Sequence, residues 1–357
     1  MATRRVLLVG SMPFEDEETC MRRALDALGS LLFSLPDGEI GEKTPEFPGG
    51  TRSSWVNYAF EKLQADTEDW RVVREPERGA DGFPKDYGSF QHLEPIHSPE
   101  EMSDHVDLGY DDYFRRNYPL FKQLRSERGL TDLKYQMGIP TGSAMGFIFP
   151  TPQEAGRYVR PFNSVLAREA NAAIAEAGDD VIVQIEVPPE LAMAYQYPSM
   201  MHELGLNPIY DLVNKIAPGA NIGIHLCLGD FHNKSLTHPD SLDTMVEFSN
   251  RLVDGWPASH RLAYVHYPLA EGNVPPTLDA AYYDPLKGVH LPGGTRFIAG
   301  FIHEKRSLPE NQALLNTIEG IRGQAVDVAC SCGLGRRTPQ VGAQLLDLMR
   351  QIAESAS

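Results

Sequence analysis

Two stretches, VIVQIEVPPE at residues 181–190 and NIGIHLCLGDF at residues 221–231, decide how this chain is read. Each opens on a short apolar run and closes on a chemically capable side chain: Glu186 in the first, His225 and Cys227 in the second. A continuous apolar run of this length marks a strand covered on both faces, as in a parallel sheet. Working outward, runs of the same kind fall at 5–9, 31–35, 133–138, 261–266, 296–302 and 326–331, which with 181–186 and 221–227 makes eight. Helical periodicity fills 15–28, 152–177, 241–254, 309–323 and 339–353, several of these opened by proline or a Ser/Asp cap. Eight strands alternating with helices predict an α/β fold, one (β/α)8 TIM barrel spanning residues 1–357 as a single domain.

One interval breaks the rhythm. Residues 37–132 are rich in Gly, Pro, Tyr and charge, far longer than an ordinary strand-to-helix connection, and are expected to form an insertion on the top face between the second and third strands. Within it, 111–128 reads as the helix that returns the chain to the third strand. Arg52 and Trp55 are placed either to close over a site or simply to start a surface helix.

Composition removes several classes of function. With 42% hydrophobic and 23% charged residues the chain is ordinary globular protein. No apolar stretch approaches the ~18 residues of a membrane span, and the acidic turn after residue 14 does not suit a secretory signal, so a cytoplasmic protein without a membrane partner is expected. The net charge of −17 repels phosphate backbones, which argues against a nucleic-acid partner. Four cysteines (Cys20, Cys227, Cys330, Cys332) are too few for a disulfide scaffold, which turns attention to thiol or metal chemistry.

In a barrel of this type the reactive groups project from the C-terminal strand ends. Those ends carry Gly10-Ser11, Asp37-Gly38-Glu39, Glu186, His225-Leu226-Cys227, His266, His303-Glu304-Lys305 and Cys332-Gly333. His225 and Cys227 are two apart and on a strand would face the same way, so both can reach one ion. Imidazole and thiolate are preferred zinc donors, and Cys332 and His266 are positioned to converge on them across the mouth. Cys330, two before Cys332, is assigned to the core lining, and Cys20 to helix packing. Asp37 and Glu39 read either as an ammonium grip or as a solvated acidic turn with Gly38 at positive φ. His303 is a candidate proton carrier near neutral pH, or an ordinary loop histidine.

The order GSMP, QIEVPP, HLCLGDF and CGLGRR resembles the catalytic barrel of cobalamin-independent methionine synthases over nearly the whole chain. The resemblance implies zinc held by His225, Cys227, the residue at position 266 and Cys332. His266 stands where that family has a glutamate, and Glu271 is the nearby acid that offers an alternative fourth ligand. It also implies a substrate pocket with Ser11 and Glu186, while Val187 replaces the second acid of that segment. His303 and Lys305 occupy the places of an acid and base pair, so that relay does not carry over.

The implied activity is transfer of a methyl or other alkyl group to a small-molecule thiol activated as a zinc-bound thiolate. Ser11, Asp37, Glu39 and Glu186 would shape the substrate pocket, with Glu186 and His303 in catalytic roles. The alkyl donor is expected from the insertion side or from another protein, since the folate-handling half of long methionine synthases has no room here. A zinc-dependent lyase acting on a C–S or C–C bond, and a non-catalytic zinc- or ligand-binding protein, are the alternatives. The related uroporphyrinogen decarboxylase branch is metal-free and fits these soft donors poorly.

Overall fold

A computed structural model describes residues 4–54 and 56–355, so Trp55 lies outside the described residues. In chain order its elements are β1 (Val6–Leu7), α1 (Glu17–Leu28), β2 (Ser34–Pro36), α2 (Asn57–Ala65), β3 (Trp70–Arg74), β4 (His92–Pro95), α3 (Pro99–His105), α4 (Tyr110–Glu127), β5 (Lys134–Ile139), α5 (Gly142–Met145) and α6 (Pro152–Ala177). There follow β6 (Val181–Glu186), α7 (Pro188–Gln196), α8 (Asn207–Val213), β7 (Asn221–His225), α9 (Asp243–Asp254), β8 (Arg261–Pro268), β9 (Arg296–Ile302), α10 (Leu308–Arg322), β10 (Asp327–Cys330) and α11 (Pro339–Glu354). Eight parallel strands run in the order β1-β10-β9-β8-β7-β6-β5-β2, and a parallel bridge from Val6 to Leu32 brings the two ends together. The fold is therefore a (β/α)8 barrel.

Alternation along the strands sorts side chains between two interiors. On β6, Val181, Val183 and Ile185 join the large core between strands and helices, whereas Ile182 turns inward with Leu7, Tyr264, Ile298 and Ala329. These five plug the lower barrel, and burying each of Leu7, Ile182 and Ile298 contributes ~1.5–3 kcal/mol. Tyr264 fits because β7 carries Gly223 opposite it: a Cβ there would stand 2.1 Å from the ring. Above the plug the inward positions turn polar. Gln136 and Gln184 are linked at 3.2 Å, Tyr264 donates to Gln184 Oε1 at 2.8 Å, and Gln184 donates to Glu186 Oε1 at 2.9 Å. One inward row on β6 thus climbs from Ile182 through Gln184 to Glu186 at the mouth.

Several strand ends differ from the expected ones. The run at 31–35 begins with a 3-10 turn over Gly29–Leu31, so the strand starts at Ser34. β7 stops at His225, because the chain turns sharply there and the Cys227 N–H donates to the His225 carbonyl at 2.8 Å. β8 runs two residues past His266, and Cys332 lies beyond the end of β10. The residue range 188–213 holds α7 and α8, short helices with prolines at their starts. The insertion is structured: α2, an antiparallel β3–β4 hairpin and α3, before α4 returns the chain to β5.

Candidate metal centre at the barrel mouth

Three donors meet at the C-terminal end of the barrel. His225, Cys227 and Cys332 each place a ligand atom within 4.8 Å of the others, and the two sulfurs are 3.9 Å apart. Cys227 gets there through the tight turn after β7, not by sharing a strand face with His225. Cys332 is carried by the loop after β10, which docks on Ser11: the Leu334 N–H donates to the Ser11 carbonyl at 2.7 Å and the Gly335 N–H to Ser11 Oγ at 3.3 Å. Gly333 permits this approach, since a Cβ there would lie 2.3 Å from Ser11 Oγ.

The protonation of His225 follows from its partners. His266 Nε2 lies 3.0 Å from the Cys330 carbonyl, which can only accept, so this nitrogen carries the hydrogen. Burial pushes His266 down to about 3, against the pull of that carbonyl, so the ring is neutral and its Nδ1 is a bare acceptor. His225 Nδ1, 2.7 Å away, must therefore donate to it. That leaves a lone pair on His225 Nε2, which is buried with no hydrogen-bond partner. Burial, with His266 and Arg336 beside it, also holds His225 well below its ordinary value, hence neutral. A buried imidazole with a fixed tautomer and an orphaned Nε2 is what a metal ligand requires.

The donor set fits zinc. A tetrahedral ion with bonds of ~2.3 Å to sulfur separates two thiolates by about 3.8 Å, close to the spacing of Cys227 and Cys332. Contact with Cys227 together with burial raises the Cys332 thiol well above its usual range. Arg336 offsets part of this: its guanidinium pairs with Asp230 at 2.6 Å and lies 3.7 Å from Cys332 Sγ. Burial disfavours its charge, but Asp230 and the sulfurs outweigh that and keep it cationic.

His266 itself does not join the three donors, since both its ring nitrogens are engaged, one with His225 and one with Cys330. The expected role as fourth ligand is replaced by one behind His225. Glu271 is also elsewhere, hydrogen-bonded to exposed His238 at 2.8 Å. His303 is fully buried and does not line the cavity over the thiols; its Nδ1 accepts the Lys305 N–H at 3.1 Å beside Glu304. Cys330 lies in the core, and Cys20 is buried against Gly38 with its Sγ 3.9 Å from the Met12 carbonyl.

Above the thiols lies a cavity walled by Ser11, Glu39, Glu186 and Arg336 and by an aromatic group, Tyr87, Phe90, Phe147 and Phe231. Glu39 and Glu186 both look at bare Gly138, whose missing Cβ would stand 3.3 Å from Glu39 Oε1 and 3.6 Å from Glu186 Oε1. Burial pushes Glu39 up to about 7, against Arg52 and with the help of Asp37. Burial, then Glu39 and Cys332, push Glu186 well above the carboxylate range. Asp37 points away from the cavity into a closed set of partners: Arg52 at 2.9 Å, Asn117 at 2.8 Å, Tyr135 at 3.2 Å and the Glu39 N–H at 2.9 Å. Burial disfavours its charge, but Arg52 and these bonds hold it below its ordinary value. Arg52 is thus held by Asp37 and lies over the Tyr113 ring, 4.0 Å from its centroid.

Arg336, Asp230 and the aromatic wall are absent from the sequence reading. Arg336 stands in the CGLGRR stretch, four residues past Cys332, and only its proximity to that motif marks it. Tyr87 and Phe90 come from the insertion, whose long-range packing leaves no local signature.

No protein-family model matches the chain, and no curated protein matches it. Among solved structures it is similar to a B12-independent methionine synthase from Shewanella sp. W3-18-1, determined in complex with selenomethionine. The likeness has a TM-score of 0.60 and 13% sequence identity, covering 99% of this chain and 97% of that one. It establishes a shared barrel fold. Among the described residues, no helix is long and apolar enough to cross a membrane.

Proposed function

We propose that this chain is a zinc-dependent enzyme that transfers an alkyl group, most simply a methyl, to a small thiol bearing an amino group. The observation that carries this is the convergence of His225, Cys227 and Cys332 with an orphaned, lone-pair-bearing Nε2 on His225. Those three residues would hold the ion and leave a position open to an exchangeable ligand. A bound zinc supplies Lewis acidity, which lowers the pKa of a thiol so that it reacts as thiolate at neutral pH.

The remaining residues bind and orient. Glu39 and Glu186 are two partly desolvated carboxyl groups that repel one another. An ammonium group between them would restore both as carboxylates, which favours an amino-acid thiol over a plain one. Arg336 presents a fixed positive charge to the sulfur side of the cavity and stabilises anionic sulfur there. Tyr87, Phe90, Phe147 and Phe231 exclude water from the reacting sulfur. The shared fold with a methionine synthase supports the same reading.

The test is to load the chain with cobalt(II) in place of zinc and titrate homocysteine, cysteine and 3-mercaptopropionate while recording the sulfur-to-cobalt absorption. The amine-bearing thiols should perturb the spectrum at lower concentration than mercaptopropionate, and Glu186→Gln should shrink that difference. Indifference of the cobalt spectrum to all three thiols would overturn the proposal.

A further inference from the structure

We propose that the insertion carries a second metal site, built by Asp69, His97 and His105, that takes a divalent cation of the zinc type and clasps the base of the β3–β4 hairpin. One ligand atom of each residue lies within 4.8 Å of the other two. His97 Nε2 is 2.7 Å from Asp69 Oδ1, and His105 Nδ1 is 3.8 Å from the same oxygen. Two imidazoles and a carboxylate form a borderline donor set that suits zinc, with room for water in the remaining position.

The three residues sit where the ends of the β3–β4 hairpin meet α3, and the backbone there is tied at each of them. Asp69 immediately precedes β3, His97 follows β4, and the Ile96 N–H donates to the Asp69 carbonyl at 2.8 Å, locking the hairpin ends together. His97 precedes the N-cap of α3, where Ser98 and Glu101 form a capping box. His105 ends that helix, and the Val106 N–H closes onto the Met102 carbonyl at 3.1 Å. Their backbones are thus preorganised, while the side chains of Asp69, His97 and His105 are 17%, 27% and 46% exposed, which leaves a path for an ion.

The two rings stack face to face, centroids 3.8 Å apart and planes within 9°. A divalent cation engages both nitrogen lone pairs and the carboxylate at once. Because a metal lies in the plane of each imidazole it binds, the rings must unstack; His105, nearly half exposed, has the freedom to turn.

The position gives the site a role. Residues 75–91 form the tip of the same hairpin and include Tyr87 and Phe90, which wall the cavity over the thiols. A cation at the hairpin base fixes the frame from which that wall hangs, so the second site acts on the shape of the first from outside it.

The experiment separates the two centres. In the full chain carrying Cys227→Ser and Cys332→Ser, cobalt(II) should still bind, one ion per chain, giving weak ligand-field bands without the intense sulfur-to-cobalt absorption. Adding His97→Ala or His105→Ala should weaken zinc, measured against a chromophoric chelator, more than about tenfold, since loss of a direct ligand exceeds loss of an outer-sphere partner. If the double-cysteine variant does not fold, His97→Ala in the otherwise unaltered chain serves: zinc content should fall by one equivalent while any sulfur-to-cobalt band persists. Zinc binding that is absent from the cysteine variant, or unchanged by both histidine substitutions, would overturn the second site. Absence of the sulfur-to-cobalt band from the unaltered chain, with the histidine-dependent zinc retained, would count against the thiol centre and leave the insertion site standing.

Discussion

Replacing His266 by alanine and by glutamine should give opposite results, and the contrast tests the hydrogen-bond chain behind His225. In His266→Ala the Cys330 carbonyl and the His225 Nδ1–H both lose their partner. At ~1–3 kcal/mol for each buried group left unpaired, the metal-free chain should lose about 2–6 kcal/mol of stability. His225 would also be free to move its proton to Nε2, spoiling the metal-facing lone pair. Loss of such an outer-sphere partner costs ~10–100-fold in zinc affinity, or about 1.4–2.7 kcal/mol. Glutamine reproduces the pattern, with its amide N–H donating to the Cys330 carbonyl and its oxygen accepting from His225 Nδ1, so His266→Gln should recover most of both losses. Zinc affinity is read by chelator competition and stability by urea unfolding of the metal-free protein. If His266 bound the ion directly, the poorly coordinating amide would serve no better than alanine. Equal zinc affinities in the alanine and glutamine variants, both far below the parent, would therefore refute the chain.

Three further outcomes follow from the same geometry. Gly300→Ala places a methyl 2.4 Å from His266 Nε2 and 2.9 Å from the Tyr267 carbonyl, and should destabilise the chain by ~1–3 kcal/mol and lower zinc affinity in parallel, checked by the same two assays. Cys227→Ser and Cys332→Ser should each lose most bound zinc by elemental analysis, whereas Cys20→Ser, at a thiol packed under Gly38, should keep it. Glu190 is buried with Thr141 Oγ1 2.5 Å from one of its oxygens, and burial, outweighing the hydrogen bonds of Thr141 and Ser143, lifts it to about 7. A folded-state value raised above the unfolded one gives stability that is complete below the ordinary carboxylate pKa and is lost as pH rises through 7. Glu190→Gln should flatten the fall in unfolding free energy between about pH 4.5 and pH 7 by up to ~3 kcal/mol; a slope identical to that of the parent would contradict the assignment.

How far the sequence could be read depended on how local each cause is. The expected spans 181–186 and 296–302 coincide with β6 and β9, because a full strand of apolar and β-branched residues between turn formers has few other uses. Leu31 misleads because a 3-10 turn and a strand start are equally apolar there. α7 opens on Pro188-Pro189, which reads as a loop unless proline is allowed its place in a helix's first turn. His225, Cys227 and Cys332 are visible as motif residues, but the turn that carries Cys227 off the strand is not. His266 shows the limit most clearly: its residue type signals a ligand, while the neighbours that occupy its two nitrogens lie 41 and 64 residues away. Asp37 is similar, an acid at a strand end whose partners Arg52, Asn117 and Tyr135 come from three other segments.

The Tyr264 ring lodged over Gly223 has a consequence for traffic. With Leu7, Ile182, Ile298 and Ala329 it closes the barrel from beneath, and every one of these residues is buried. The barrel is thus filled at one end by packed side chains, and the thiols lie toward the other. A molecule that meets the sulfurs therefore comes from the side of the strand C-termini, where Tyr87 and Phe90 of the insertion line the cavity.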